Sequence, residues 1–407
     1  MPHPLLIENV HIKNFGCIRD LEMKLTPLHA LIGPNDSGKS TILRAVRTAM
    51  QLVNGCFVGS LEDGLDNCHP FNPGTLNKTG VTVNFKNYLR YSVYIRSNTK
   101  LKESIRFISG ISLDFDRTLW ILPEVRKTIL GIHPSLTKQD FLSVDLPGDF
   151  GPTHPEWNLP TKHKIYKVLI KRAAKNLRFV VLTDQKPRMV RIDPDSLREP
   201  GGLIPSSQPI DLQEKGIGLV SVLDALMNRN IDGFLKVREQ VSKLFPEIAS
   251  IGMKNIEVEN GKVSKIIEFH LKNGTRIPAQ FMSEGVLYYL AFSALQYLEP
   301  ASILLVEEPE NGLHPSRIKD IMTILREISK MTQVLIATHN PLVINEMQPE
   351  EVSLIRRDPE KGTWAEPMKD TKNFKERAKT YALGELWLSY ADGVDERELR
   401  GRGGNDD

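Results

Sequence analysis

Cysteine is scarce in this sequence, and no apolar run is long enough to span a membrane. The 407 residues include 3 cysteines, Cys17, Cys56 and Cys68, and no two of them have the CxxC spacing of a zinc or redox site. A disulfide-stabilised secreted fold is therefore disfavoured, and a reducing compartment is expected. Residues 1–10 lack a basic stretch followed by a long apolar core, so no secretory signal is expected. These absences predict a cytoplasmic protein without membrane contact.

Excess charge of one sign is also small. The formal net charge is +3, which predicts neither a nucleic acid nor a membrane as partner from bulk electrostatics alone. The local exception is the run 161–178, which carries seven lysines and arginines and no acid. Two interpretations of this run stay open: contact with DNA or RNA phosphates, or a solvated helix face over an apolar stripe.

A glycine-rich loop at residues 31–41 (LIGPNDSGKST) carries the strongest motif of the sequence. It follows an apolar run and opens an amphipathic one, which is the context of a phosphate-binding loop between a strand and a helix. Gly33 and Gly38 let the backbone turn so that successive N–H groups point at phosphate oxygens. We expect Lys39 to reach the β- and γ-phosphates and the Ser40 hydroxyl to bind Mg²⁺. The motif predicts a site for a nucleoside triphosphate.

Two adjacent glutamates, Glu307 and Glu308, follow the short apolar run Ile303–Val306. Such a run is typical of a parallel strand that is buried on both faces, and open α/β sheets bind their ligands at the carboxyl ends of these strands. Unpaired carboxylates are costly to bury, whereas Mg²⁺ and an attacking water would give both groups a partner. We predict that Glu307 binds the metal, mostly through water, and that Glu308 is the general base.

A strand–helix–strand pattern continues from these acids. Pro315 suits the first turn of a helix, the following residues place their apolar side chains on one face, and the next apolar run, 333–338, ends at His339. The two strands of such a unit are expected to be parallel. If they are neighbours in the sheet, His339 and Glu308 emerge side by side, where a histidine can hydrogen-bond the γ-phosphate.

The segment Phe281–Gly285 (FMSEG) precedes a helix that is apolar on nearly every face. Ser283 is a natural N-cap for this helix, and a helix without a polar face is expected to be buried. A helix N-terminus that presents serine and glycine is an anion-binding surface. Every helix has such an end, so the segment gains its meaning from its position between the phosphate-binding loop and the acidic strand end.

The order of these four motifs resembles the ABC-type ATPases, and specifically the non-transporter branch that contains the SMC, RecF and OLD-nuclease ATPases. The resemblance covers residues 5–50 and about 211–390, and it implies ATP and Mg²⁺ as cofactors. It also implies a homodimer in which ATP lies between two heads, with Ser283 of one copy against the γ-phosphate held by the other. By the same resemblance Lys39, Glu308 and His339 are catalytic, and Ser40 and Glu307 bind the metal. The implied nucleotide-binding residues are Gly33, Pro34, Asn35, Asp36, Ser37, Gly38, Lys39, Ser40, Thr41, Ser283 and Gly285.

Four features set this sequence apart from other ABC-type ATPases. The acid on the metal side is Glu307, where most members have aspartate. By the same resemblance the segment Met282–Gly285 is the signature motif, which begins the helix after it, the signature helix, and it reads SEG instead of SGG. No glutamine loop is evident, and Gln208 and Gln213 are only candidates. The stretch between the phosphate-binding loop and the signature is also far longer than in the nucleotide-binding domains of transporters.

The predicted architecture is an α/β fold: an ABC-ATPase head with a mixed, partly parallel sheet plus an inserted α+β lobe. Residues 1–50 and 211–390 are assigned to the discontinuous ATPase core, and residues 51–210 to the lobe. From about Gly216 the chain is expected to be mostly helical, because apolar residues recur at helical spacing. Residues 391–407 are expected to form a C-terminal tail.

The leading functional hypothesis is the ATPase subunit of a bacterial anti-phage defence system, because the sequence most resembles stand-alone OLD-like ATPases. The stretch after His339 shows neither a toprim-like acidic constellation nor an HNH-like cluster. We therefore expect a separate effector protein, a nuclease in the simplest case, and leave an oligomer larger than the dimer open. One alternative is a RecF-like ATPase of DNA repair or DNA clamping. A nucleotide-binding subunit of an ABC transporter is disfavoured by the long insertion.

Overall fold

The computed structural model describes residues 6–58, 79–85, 89–98, 105–115, 143–150, 185–258, 262–358 and 362–391. The basic run 161–178, Cys68 and the predicted tail lie outside these ranges, so the predictions made for them remain predictions. Within the described ranges, no helix combines the length and the apolar character needed to cross a bilayer.

The parallel strands that position the site belong to a six-stranded mixed sheet with the order β15-β14-β3-β13-β12-β8. The neighbours from β14 to β8 are all paired in parallel, and β15 is antiparallel to β14 at one edge. Every residue of β3, β12 and β13 is buried, as expected for a sheet covered on both faces. The strands are β3 Leu28–Ile32, β8 Arg188–Val190, β12 Leu304–Glu307, β13 Val334–Thr338, β14 Val352–Asp358 and β15 Gly362–Pro367.

A second six-stranded sheet is antiparallel throughout and has the order β2-β1-β4-β5-β6-β7. Its first hairpin turns at Gly16, whose φ of 55° lies in the left-handed region, in the place where the sequence predicts a turn. The strands are β1 Ile7–Phe15, β2 Ile18–Lys24, β4 Thr79–Phe85, β5 Leu89–Asn98, β6 Ile105–Phe115 and β7 Ser143–Phe150.

A third sheet corrects the expectation that the chain is mostly helical beyond Gly216. It has the order β11-β10-β9, and β9 and β10 form a long antiparallel hairpin. Alternating polar and apolar residues in β10 and the dipeptide Asn260-Gly261 between the two strands are signals that could have predicted this hairpin from the sequence. The strands are β9 Ile248–Val258, β10 Lys262–Leu271 and β11 Arg276–Pro278.

The described helices include the three that the sequence predicted, which are those after the phosphate-binding loop, after Ser283 and after Pro315. The second of them, α5, buries every residue from Val286 to Leu295, because it has no polar face. The helices are α1 Lys39–Val58, α2 Pro194–Leu197, α3 Leu219–Arg229, α4 Ile231–Leu244, α5 Glu284–Leu295, α6 Ile318–Ser329, α7 Pro341–Asn345, α8 Phe374–Arg377 and α9 Leu383–Ala391. Single 3₁₀ turns occupy Ala279–Phe281, Pro315–Arg317, Pro349–Glu351 and Met368–Asp370.

The fold class agrees with the sequence-based expectation of an α/β protein with a mixed, partly parallel sheet. The division into core and lobe remains a proposal, and the sheet pairing bears on its limits. Strand β8 lies inside the segment 51–210 assigned to the lobe, yet it pairs with β12 of the central sheet. We therefore place the carboxyl-terminal limit of the lobe before residue 185 and count the residues from β8 onward with the ATPase core.

His29 of β3 gives the central sheet a pH-dependent stability. The ring is fully buried between the hydroxyls of Thr26 and Ser353, and burial, opposed by the carboxylate of Glu351, lowers its pKa from 6.5 to about 4. The unfolded chain therefore binds the proton more tightly. The stabilisation is complete above pH 6.5 and is lost as the pH falls toward 4, by roughly 3 kcal/mol. Urea unfolding at several pH values should show this slope in the wild type and a smaller slope in His29→Gln; identical slopes would contradict the assignment.

Candidate functional site

The phosphate-binding loop joins β3 to α1 at the carboxyl edge of the central sheet. Pro34, Asn35 and Asp36 are exposed at its tip, whereas Gly38 and Lys39 are buried at its base. The ammonium group of Lys39 donates hydrogen bonds to the carbonyl oxygens of Gly33 (2.7 Å) and Pro34 (2.8 Å). The lysine thus closes the loop on itself, and phosphate oxygens would take over these bonds when a nucleotide binds.

The hairpin β14–β15 supports this loop from a distant part of the chain. The Thr363 hydroxyl donates to the carbonyl oxygen of Ser37 (3.0 Å), and the Arg357 guanidinium lies 3.4 Å from the carbonyl oxygen of Asp36. Gly38 has a φ of 105°, and a Cβ at this position would lie 2.6 Å from the Thr363 hydroxyl. Only glycine fits there without strain. Sequence reasoning did not find Thr363, because no local motif links it to the loop.

Opposing influences act on the pKa of Lys39, and their net effect lowers it. Burial lowers this pKa, while the negative charges of Glu308, Glu310, Asp36 and Glu307 raise it. The negative charges of four carboxylates thus act on one buried ammonium group. This arrangement places Lys39 within electrostatic reach of the acids after β12, as the combined motifs predicted, and leaves the region ready to accept a divalent cation.

Glu307 is the last residue of β12, and its carboxylate is buried. Among the residues that the structure describes, neither oxygen has a hydrogen-bond partner, and the Arg191 guanidinium stands 3.5 Å from Oε2. A buried carboxylate with unused acceptor positions fits a hard cation and its water ligands, which take oxygen donors. Ser40, half-buried at the start of α1, would supply a second oxygen for the same ion.

Glu308 lies in a strained backbone conformation at the exit of the strand. Its φ of 45° is in the left-handed region, which non-glycine residues adopt at a cost and mostly at functional sites. Its carboxylate accepts a hydrogen bond from the Asn311 side chain (2.7 Å), and Oε1 lies 3.3 Å from Nδ1 of His339. The strands β12 and β13 are neighbours, so the predicted proximity of Glu308 and His339 is found in the structure.

Glu310 is a site residue that the motifs did not single out. Its carboxylate is buried, accepts a 2.6 Å hydrogen bond from the Thr338 hydroxyl and lies 3.9 Å from Nδ1 of His339. Burial raises its pKa, and the hydrogen bond from Thr338 partly opposes that rise. Glu310 therefore positions the end of β13, from which His339 projects. Its spacing of two from Glu308 was the available signal.

Ser283 is exposed at the start of α5. It occupies the N-cap position, as predicted, but its side chain makes no capping hydrogen bond. The Arg198 guanidinium donates to the carbonyl oxygen of Met282 (3.2 Å) and holds the loop before it. Gly312, with a φ of 70°, packs against the ring of Tyr288 on α5, where a Cβ would lie 2.7 Å from a ring carbon. The signature loop is thus fixed to the segment that follows Glu308.

The structure therefore gathers Lys39, Glu307, Glu308 and His339 at the carboxyl ends of neighbouring parallel strands, and it leaves the Ser283 hydroxyl facing solvent. Chemically, the first group can bind phosphate and a divalent ion and can polarise a water molecule.

Two family models match successive parts of the chain. An AAA ATPase domain matches residues 6–188, and an AAA domain described as a putative AbiEii toxin of a type IV toxin–antitoxin system matches residues 184–345. The chain is also similar to the OLD nuclease of Thermus scotoductus (strain ATCC 700910 / SA-01), at 22% identity over 370 residues. That alignment covers 87% of this chain and 62% of the relative, so the chain spans less than two thirds of the relative's length.

Two solved structures of SMC heads are also similar to the chain. One is the SMC head bound to the C-terminal winged-helix domain of ScpA, with 14% identity and a TM-score of 0.45, covering 90% of this chain and 98% of that chain. The other is the SMC head domain from Thermotoga maritima, with 14% identity and a TM-score of 0.36, covering 89% of this chain and 98% of that chain.

Proposed function

We propose that this chain, a P-loop ATPase similar to the SMC and OLD class, is an ATP-driven dimerisation switch. One copy would hold Mg²⁺–ATP on its phosphate-binding loop, and the exposed Ser283 of a second copy would complete the site. The observation that carries the proposal is the exposure of Ser283, which faces solvent at the start of α5 and is therefore accessible to a second copy.

The residues divide the chemistry between them. Lys39 and the loop N–H groups bind the β- and γ-phosphates, and Ser40 and Glu307 would hold Mg²⁺, which neutralises phosphate charge. Glu308 accepts a proton from the attacking water, and the strained backbone together with Asn311 fixes the direction of its carboxylate. His339 lies beside Glu308 and donates to the γ-phosphate or to the water. Hydrolysis would cleave the bond between the β- and γ-phosphates, and release of the γ-phosphate would break the contact between the two copies.

We propose a bacterial defence role for this switch, with an effector that acts on nucleic acid. Two comparisons support this role: the named relative is an OLD nuclease, and one matching family model carries the name of a putative toxin. A nuclease is the simplest effector, and DNA or RNA contact through 161–178 belongs to the same proposal, as does a cytoplasmic location. A RecF-like role in DNA repair remains the second candidate, because the same head chemistry would serve it.

Replacing Ser283 by arginine tests the dimer. The larger, charged side chain should block the approach of the second copy, so Ser283→Arg should stay monomeric in ATP and Mg²⁺ and lose at least about 10-fold in turnover. Its affinity for ATP should stay within about 2-fold of the wild type, since the loop of the same copy is intact. Light scattering and titration with a fluorescent ATP analogue measure the two properties.

The matched control for this variant is Ser207→Arg, which places the same side chain on an exposed loop. This variant should dimerise as the wild type does. A Ser283→Arg protein that dimerises normally, or that loses ATP binding itself, would refute the role of the serine in the second copy's site.

A further inference from the structure

Arg191 is a cation at the site for which no motif gave a role. It directly follows β8, and the register of β8 on β12 pairs Val190 with Val306, so Arg191 lies beside Glu307 at the carboxyl ends of two parallel strands. Its guanidinium stands 3.5 Å from Oε2 of Glu307. The Arg191 side chain is 59% exposed, whereas that of Glu307 is 4% exposed.

The backbone around Arg191 is fixed even though its side chain is exposed. The N–H of Arg191 donates to the carbonyl oxygen of Glu214 (2.8 Å), and the Glu214 side chain pairs with Arg47 on α1 (2.7 Å). The next carbonyl, that of Ile192, accepts a hydrogen bond from Tyr288 on α5 (2.8 Å). The backbone that carries the arginine side chain is therefore connected to both α1 and α5. The side chain itself extends from this point into solvent.

The pair with Glu307 is incomplete as an ion pair. No hydrogen bond reaches either Glu307 oxygen from the described part of the chain, so the guanidinium contributes charge without the two-bond geometry that makes arginine–carboxylate pairs strong. A divalent cation on the same carboxylate would oppose the positive guanidinium, whereas triphosphate oxygens nearby would attract it. The charges at this edge of the sheet therefore favour transfer of the Arg191 guanidinium from Glu307 to the triphosphate when nucleotide and metal bind.

We propose that Arg191 binds the γ-phosphate and that it pairs with Glu307 while no nucleotide is bound; this inference rests on the proposed function. When Mg²⁺–ATP binds, the guanidinium leaves Glu307 and donates to the terminal phosphate. The ligand chemistry is that of a nucleoside triphosphate, and a diphosphate lacks the group that this residue recognises.

A double-mutant cycle with Glu307 tests this assignment. Titration of a fluorescent ATP analogue and of its ADP counterpart, with magnesium chloride present, is carried out on Arg191→Gln, Glu307→Gln and the double variant. Arg191→Gln should weaken ATP binding about 10-fold or more and ADP binding by no more than about 2-fold. The same loss for ATP should appear in the Glu307→Gln background, because the phosphate contact does not depend on the carboxylate.

Arg188→Gln is the matched control, since it removes an arginine from the other end of the same strand, where that residue pairs with Asp211. This control should bind ATP as the wild type does, and thermal unfolding checks that all variants are folded. Arg191→Gln without effect in the Glu307→Gln background would overturn the proposal, because Glu307 would then be the arginine's only partner. Equal losses for ATP and ADP would also overturn it. A wild-type chain that fails to bind ATP would instead contradict the proposed function.

Discussion

Glu308→Gln should slow ATP hydrolysis by about 10²- to 10⁴-fold while leaving ATP affinity within a few-fold of the wild type. Glutamine keeps the shape of the side chain and can keep the contact with Asn311, but it cannot accept the proton of the attacking water. Because hydrolysis ends the ATP-bound state, this variant should also accumulate as a dimer in ATP and Mg²⁺. Phosphate release measures the first effect, and light scattering measures the second.

The adjacent acid provides the sharpest control for this result. Glu307→Gln removes a carboxylate from the metal side, so it should raise the Mg²⁺ concentration needed for ATP binding, an effect that Glu308→Gln should not have. Glu327→Gln, an exchange on the exposed face of α6, should behave as the wild type. If Glu308→Gln hydrolyses ATP at the wild-type rate, another group is the base. If it stays monomeric in saturating ATP and Mg²⁺, the proposed dimer with ATP between the two copies is wrong.

Lys39→Ala should reduce ATP affinity by about 10²-fold or more, and turnover should fall below detection. The substitution removes the cation that we propose contacts the β- and γ-phosphates, in a buried position where charge–charge interactions are only weakly screened. It also removes the two hydrogen bonds to Gly33 and Pro34, which hold the loop closed before the nucleotide arrives. Calorimetric titration with a non-hydrolysable ATP analogue gives the affinity directly.

Lys24→Ala is the control for this second prediction, because it removes a lysine that is exposed on β2. It should bind ATP as the wild type does. A thermal scan separates loss of binding from loss of folding, since Lys39→Ala is expected to unfold within a few degrees of the wild type. Wild-type affinity in Lys39→Ala would remove the phosphate-binding loop from the proposal.

Local patterns determined the parts of this protein whose chemistry depends on neighbours in sequence. The loop at 31–41 predicted a phosphate site, because the glycines, lysine and serine of such a loop must follow one another along the backbone. The apolar run before Glu307 predicted a buried parallel strand. The crossover that ends at His339 correctly predicted that His339 and Glu308 lie side by side. The sequence after Ser283 has no polar face, and this pattern correctly predicted a buried helix.

Other features depended on contacts between distant segments, and only the tertiary structure decided them. Thr363 supports the loop at Ser37, Arg191 stands beside Glu307, and Arg198 holds the loop before Ser283, each across a long stretch of chain. No sequence period links such pairs, because the order of strands in the sheet, and not spacing along the chain, brings them together. The sequence therefore identified the chemical groups, and the fold decided which of them lie together at the strand ends and which, like Ser283, are exposed.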